Sequence, residues 1–187
     1  MYRAASGGDV TPIGTITGAH TGIDFSKSLG LGIGIALDSL GRIYVANSGG
    51  GFLHGGSVTV YPSLANLSEQ PGYPDVKPIA TISGVDTKLA HPQAIALDSL
   101  GRIYVLSQDT DARPEIDRIA VYPALGDRAG NLDEPPIATI EGSNTEVDTA
   151  DGIAVLVAIG ALDHVVRDLE NKECPRHRQT NDQASPR

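Results

Sequence analysis

Ile35-Ala-Leu-Asp-Ser-Leu-Gly-Arg-Ile-Tyr-Val45 recurs without a change at Ile95 to Val105, an offset of 60 residues. Around this identity the similarity widens. Val58-Thr-Val-Tyr-Pro62 returns as Ile119-Ala-Val-Tyr-Pro123, and Pro12-Ile-Gly-Thr-Ile16 returns as Pro78-Ile-Ala-Thr-Ile82 and again as Pro136-Ile-Ala-Thr-Ile140. After each copy of the last motif comes a glycine (Gly18, Gly84, Gly142), followed three residues later by a threonine (Thr21, Thr87, Thr145). An identity this long at a fixed spacing marks a repeat architecture, in which each unit buries its faces against its neighbours. The first copy carries a six-residue insertion around Asp24 to Leu29.

Each repeat reads as four short strands. Ile35-Ala-Leu37 and Ile43-Tyr-Val45 are apolar runs rich in β-branched residues and tyrosine, the pattern of strands buried on both faces. Between them, Asp38-Ser-Leu-Gly41 has type I turn chemistry, with Asp at its first position and a Gly able to take a positive φ at its fourth. A third strand, Ser57 to Tyr61, is closed by Pro62, which has no N–H for a sheet ladder. A fourth, Ile79 to Ile82, alternates apolar and polar residues as a half-exposed outer strand does. No segment before residue 150 shows a 3.6-residue period. Short antiparallel strands in fours, with buried inner members, describe an all-β chain built from β-propeller blades. A parallel β-helix has far shorter coils, and an up-and-down barrel leaves the apolar inner strands unexplained.

The stretch Pro92-Gln-Ala-Ile-Ala-Leu-Asp-Ser-Leu-Gly-Arg-Ile-Tyr-Val105 resembles an NHL repeat, and Gly32 to Val45 matches it without the proline. The resemblance covers roughly residues 11 to 155. It implies a propeller of the NHL and gluconolactonase-like group, normally six-bladed, here with longer loops. In such enzymes a divalent metal on the channel axis is held by Glu, Asn and Asp from different blades. None of those ligand motifs is matched in this chain.

The pattern begins a third time at Asp151-Gly-Ile-Ala-Val155, then stops: Leu156-Val-Ala-Ile-Gly160 stands where the turn is expected. Leu162, Val165, Val166 and Leu169 have the spacing of a short amphipathic helix. Residues 171–187 read as a polar disordered tail. The expected organisation is therefore a repeat body over residues 1–160 and a helix with tail over 161–187. The body is a partial propeller of about two and a half four-stranded blades, short of the four that closure needs. Three readings follow: a fragment of a longer propeller, a ring closed by copies of the chain, or an open stack capped by the terminal helix. Open sheet edges make self-association an expectation.

Composition removes several classes of function. The 187 residues carry a net charge of −9, and residues 161–187 balance to zero, so the repeats hold the acidity. That disfavours nucleic acid, which needs clustered Lys and Arg. One cysteine excludes an intrachain disulfide. The longest charge-free apolar run, Ile153 to Leu162, is about half of the roughly 20 residues that span a bilayer. Met1 to Asp9 lacks the apolar segment of a signal peptide, while proteins resembling this one are often exported, so the compartment stays open.

Site candidates come from the propeller expectation. The loops 18–32, 46–57, 84–93 and 106–117 would share one face around the channel. They carry His20, Asp24, His54, Asp86, His91, Asp109 and Asp111, with Glu115 and Asp117. This is the expected binding face, for a protein, peptide or glycan partner. Asp109-x-Asp111-x-x-x-Glu115-x-Asp117 offers oxygen ligands but lacks the glycine and terminal Glu of a calcium loop, and reads as a solvated acidic loop. Asp38 and Asp98 are assigned to turn capping. Tyr44, Tyr61, Tyr104 and Tyr122 are assigned to packing, with hydroxyls reaching an edge. Ser48-Gly-Gly-Gly51 lacks the phosphate-loop pattern, and the Cys174/His177 pair lacks the second pair zinc needs. No nucleophile with base, no metal site and no cofactor is expected. A non-catalytic binding or scaffold module is the first reading, and a metal-dependent lactonase-like hydrolase the alternative.

Overall fold

The computed structural model describes residues 8–9, 12, 14–23, 34–49, 55–67, 75–109, 116–145, 147, 150 and 152–155. The chain divides into units Met1–Leu156 and Val157–Arg187. The terminal helix and tail expected after residue 160 lie outside the described residues. Among the described residues, no helix is long and apolar enough to cross a membrane.

The described residues are all-β, with two sheets and almost no helix. The strands are β1 (Ile35–Leu37), β2 (Ile43–Asn47), β3 (Ser57–Tyr61), β4 (Ala80–Ile82), β5 (Pro92–Leu97), β6 (Ile103–Asp109), β7 (Ile116–Tyr122), β8 (Gly130–Leu132) and β9 (Ala138–Glu141). The first sheet runs β1-β2-β3-β4-β8 and the second β5-β6-β7-β9. Within each repeat the pairings are antiparallel and in matching register, Ile35↔Val45 in one and Ile95↔Val105 in the other. The strands of the second repeat are longer than their sequence signals. Ladder bonds extend β6 to Asp109 and β7 back to Ile116 although these residues are polar or mixed, because pairing satisfies backbone groups whatever the side chain.

The expected hairpin turn forms twice. Gly41 N–H donates to the Asp38 carbonyl at 2.9 Å, and Gly101 N–H to that of Asp98 at 2.9 Å, with φ of 74° and 76° at the two glycines. Each Asp also caps its turn. Asp38 Oδ1 accepts from the N–H groups of Leu40 and Arg42, and its Oδ2 accepts from Arg42 Nε and the Tyr44 hydroxyl. Asp98 repeats all four bonds with Leu100, Arg102 and Tyr104.

One core joins the two sheets. Tyr44, Ala46, Val58, Val60, Ala80 and Ile82 of the first pack with Leu89, Ile95, Leu97, Ile103, Val105, Ala120, Tyr122 and Leu125 of the second repeat. The other face of β2 and β3 is buried too, with Ile43, Val45 and Tyr61 against Ile16, Ile23 and Val76. Even and odd residues of β2 thus serve different clusters, as strand alternation requires.

Three expectations need correction. β1 is not buried on both faces: Ile35 and Leu37 are 62% and 56% exposed, although their identical counterparts Ile95 and Leu97 are buried against the first sheet. The same residues are inside or outside according to whether a neighbouring sheet is present. The fourth strand of the first repeat is not outermost. β8, which has no apolar signal of its own, pairs parallel to β4 through Ala80↔Gly130, Thr81↔Asn131 and Ile82↔Leu132. Finally, the described residues of the first outer-strand copy, Pro12 and Gly14 to Ile16, are not in a strand.

Candidate functional site

Sheet register decides where the candidate loops lie. Asn47 pairs with Ser57 at one end of the first sheet, and the chain enters β1 at that same end, where Ala46 N–H donates to the Gly34 carbonyl. In the second sheet Pro92 pairs with Ser107, and Gln108 N–H donates to the His91 carbonyl at 3.4 Å. The two ends meet: Gly56 lies so close to the Pro92 ring that a side chain at Gly56 would overlap it. Gly56 is therefore a neighbour of His91 and Pro92.

His91 is half-buried at this junction and sits in the left-handed region, with φ of 44°. That conformation is uncommon outside glycine, and such strain concentrates where a site is pre-formed. Gln93 Nε2 donates to Gln108 Oε1 across β5 and β6 at 3.1 Å. Asp109 ends β6, half-buried, and Asp117 is buried on β7 opposite Gln108. At the same end of the first sheet, Asn47 Nδ2 donates to Thr59 Oγ1 at 3.0 Å and to Ser57 Oγ at 3.3 Å. Its Oδ1 is buried without a hydrogen-bond partner, as are Ser48 Oγ and Ser107 Oγ. Asn47 and Ser107 hold the same repeat position. Buried polar atoms left unpaired are few in folded proteins, and three at one end of two sheets call for a reason. Sequence reading missed them because uncharged polar residues at strand ends carry no motif.

The other candidates separate from this group. His20 and Asp86 occupy equivalent positions in the Gly-x-x-Thr turns, and both turns are clasped by a carboxylate. His20 N–H donates to Asp75 Oδ1 at 2.7 Å, and its ring Nδ1 lies 2.7 Å from Asp75 Oδ2. Asp86 N–H donates to Asp133 Oδ1 at 2.9 Å. Asp75 and Asp133 each stand three residues before the proline of the fourth-strand motif. The side-chain bond from His20, followed by its backbone bond, holds the Asp75 carboxyl below its ordinary 3.8. Gly18 and Gly84 have φ of 130° and 131°, and a Cβ at either would fall on the clasping carboxylate. Inside each turn the threonine hydroxyl donates to the glycine carbonyl, Thr21 to Gly18 at 2.8 Å and Thr87 to Gly84 at 2.7 Å. These candidates hold links between strands. Asp24, His54, Asp111 and Glu115 lie outside the described residues.

The tyrosines do more than reach an edge. Tyr61 OH donates to the Thr21 carbonyl at 2.5 Å, and Tyr122 OH donates to the Thr87 carbonyl, so each sheet grips the turn that leads into it. Burial raises both hydroxyls above their ordinary value of 10.0. Burial also pushes Tyr44 up to about 12. Replacing Tyr122 by Phe leaves a buried carbonyl unpaired and should lower stability by about 1–3 kcal/mol in urea unfolding. Tyr104→Phe, which removes only one of four donors to Asp98, should cost less than about 1 kcal/mol.

Among the described residues, no three His, Cys, Asp or Glu side chains come together as a metal-binding group. Comparison with protein-family models, with curated proteins and with solved structures finds no match to this chain.

Proposed function

We propose that the chain is a non-catalytic repeat module of the NHL propeller type, whose loop end binds a polar partner, a peptide or a glycan. The observation that carries this reading is the set of buried, unpaired polar atoms of Asn47, Ser48 and Ser107 at the loop end. They lie where His91 is held in a strained backbone and where Gln93 and Gln108 meet. His91, Gln93 and Gln108, half-buried at the same end, keep polar groups within a ligand's reach and suit recognition of hydroxyls or peptide amides. The repeat's most regular carboxylates, Asp38 and Asp98, are fully engaged with their own turns, which supports a structural role for them.

Amide chemical-shift mapping tests the proposal. With panels of oligosaccharides and short peptides, shifts should concentrate at residues 47–49, 55–57, 91–93 and 107–109, and His91→Ala should weaken binding about tenfold or more, the loss of one well-placed polar contact. Shifts confined to other surfaces, or none with any panel member, would contradict it. A stoichiometric divalent metal in the purified protein, with lactone hydrolysis that follows the metal, would favour the hydrolase reading instead.

A further inference from the structure

Among the described residues there are three Gly-x-x-Thr turns and two engaged clasps. The third turn, Gly142-Ser-Asn-Thr145, has the internal bonds of the others: Thr145 Oγ1 donates to the Gly142 carbonyl at 2.7 Å, and Val147 N–H donates to Thr145 Oγ1 at 3.3 Å. Gly142 keeps a positive φ of 106°. In the other two turns a side chain at the glycine would strike the clasping Asp; at Gly142 nothing lies within 4 Å. Asn144, at the position of His20 and Asp86, is exposed.

Among the described residues, no strand pairs with the outer side of the strand before this turn. β9 is the edge of its sheet, whereas its counterpart β4 is paired along its outer side by β8, the strand that leads into Asp133. Ile140 is 45% exposed, although its counterpart Ile82 is fully buried. Turn and strand independently lack the same neighbour.

The opposite end of the chain carries a matching group. Asp9 stands three residues before Pro12, as Asp75 stands before Pro78 and Asp133 before Pro136. Asp9 is exposed, and among the described residues none bonds its carboxylate.

We infer that Asp9 of a second copy of this chain clasps the Gly142–Thr145 turn, so that copies associate head to tail. The Asp9 carboxylate accepts from Asn144 N–H as Asp133 accepts from Asp86 N–H. Such an interface is heterologous: each copy keeps one free turn and one free Asp until a ring closes. The inference stands on the two observed clasps and does not depend on what the loop end binds.

Sedimentation equilibrium of the full chain, from micromolar to millimolar concentration, tests it. The wild-type mass should rise with concentration above the 19.5 kDa monomer. Asp9→Ala should move that rise to about tenfold higher concentration or more, the loss of one charge-assisted hydrogen bond. Ile140→Glu, which sets a like charge on the receiving strand at an exposed site, should do the same, and the double variant should add little. Circular dichroism of both variants should match the wild type, since neither residue is in the core. A wild-type monomer at every concentration, or association that both variants leave unchanged, would overturn the inference.

Discussion

Ile82→Ala should destabilise the protein by about 2–5 kcal/mol, because deleting a fully buried aliphatic side chain loses its transfer energy and leaves a cavity. The side chain of Ile82 is at 0% exposure in the shared core, roofed by the second repeat. Ile140→Ala, at the same position one repeat later, should cost about 1 kcal/mol or less, because that side chain is already half in water. Two identical substitutions at equivalent positions thus differ several-fold. Urea unfolding of both variants reads the difference from the midpoint at unchanged slope. Equal losses would mean that each repeat buries its own strand, and that stacking contributes nothing to it.

Asp38→Ala should cost about 2–3 kcal/mol, since it strips a buried carboxylate from two backbone N–H groups, the Arg42 guanidinium and the Tyr44 hydroxyl. Asp38→Asn should recover little, because an amide nitrogen faces the Arg42 donor. Acid should mimic the substitution. Burial raises the Asp38 carboxyl, but the bonds from Arg42 and Tyr44 outweigh burial and hold it below 3.8. Asp98 is held low in the same way by Arg102, Leu100 and Tyr104. A carboxylate whose folded value is depressed contributes stability above its unfolded value, and that contribution fades as pH falls through the folded one. Wild-type stability should therefore drop as pH falls through and below 3.8, and Asp38→Ala should show a shallower drop. A pH dependence unchanged by the substitution would remove Asp38 from the account.

Much of the fold was legible because the repeat states its rules twice. The Asp-Ser-Leu-Gly-Arg turn announced itself through residues with strong local chemistry, and the strands through apolar runs. What escaped notice depends on neighbours. Ile35-Ala-Leu37 and Ile95-Ala-Leu97 are the same letters, so no local pattern can tell that one pair is exposed and the other buried. Gly130-Asn-Leu132 has no strand signal, and its pairing is decided by the open side of β4. The candidate site was legible in outline only. Loop position points to His91, Asp109, His20 and Asp86 alike, and only the bonds to Asp75 and Asp133 distinguish the last two as clasp positions. Asn47, Ser48 and Ser107 escaped because being unpaired is a property of the surroundings.

The two repeats should unfold as one cooperative unit through their shared core. Native-state hydrogen exchange measures this directly, since amides that open together report one free energy. The most protected amides of β3 and of β6 and β7, among them Val58, Val60, Val105 and Ala120, should exchange with a common opening energy, and Ile82→Ala should lower all of them equally. Separate energies for the two sheets, with the substitution lowering only the first, would contradict the claim.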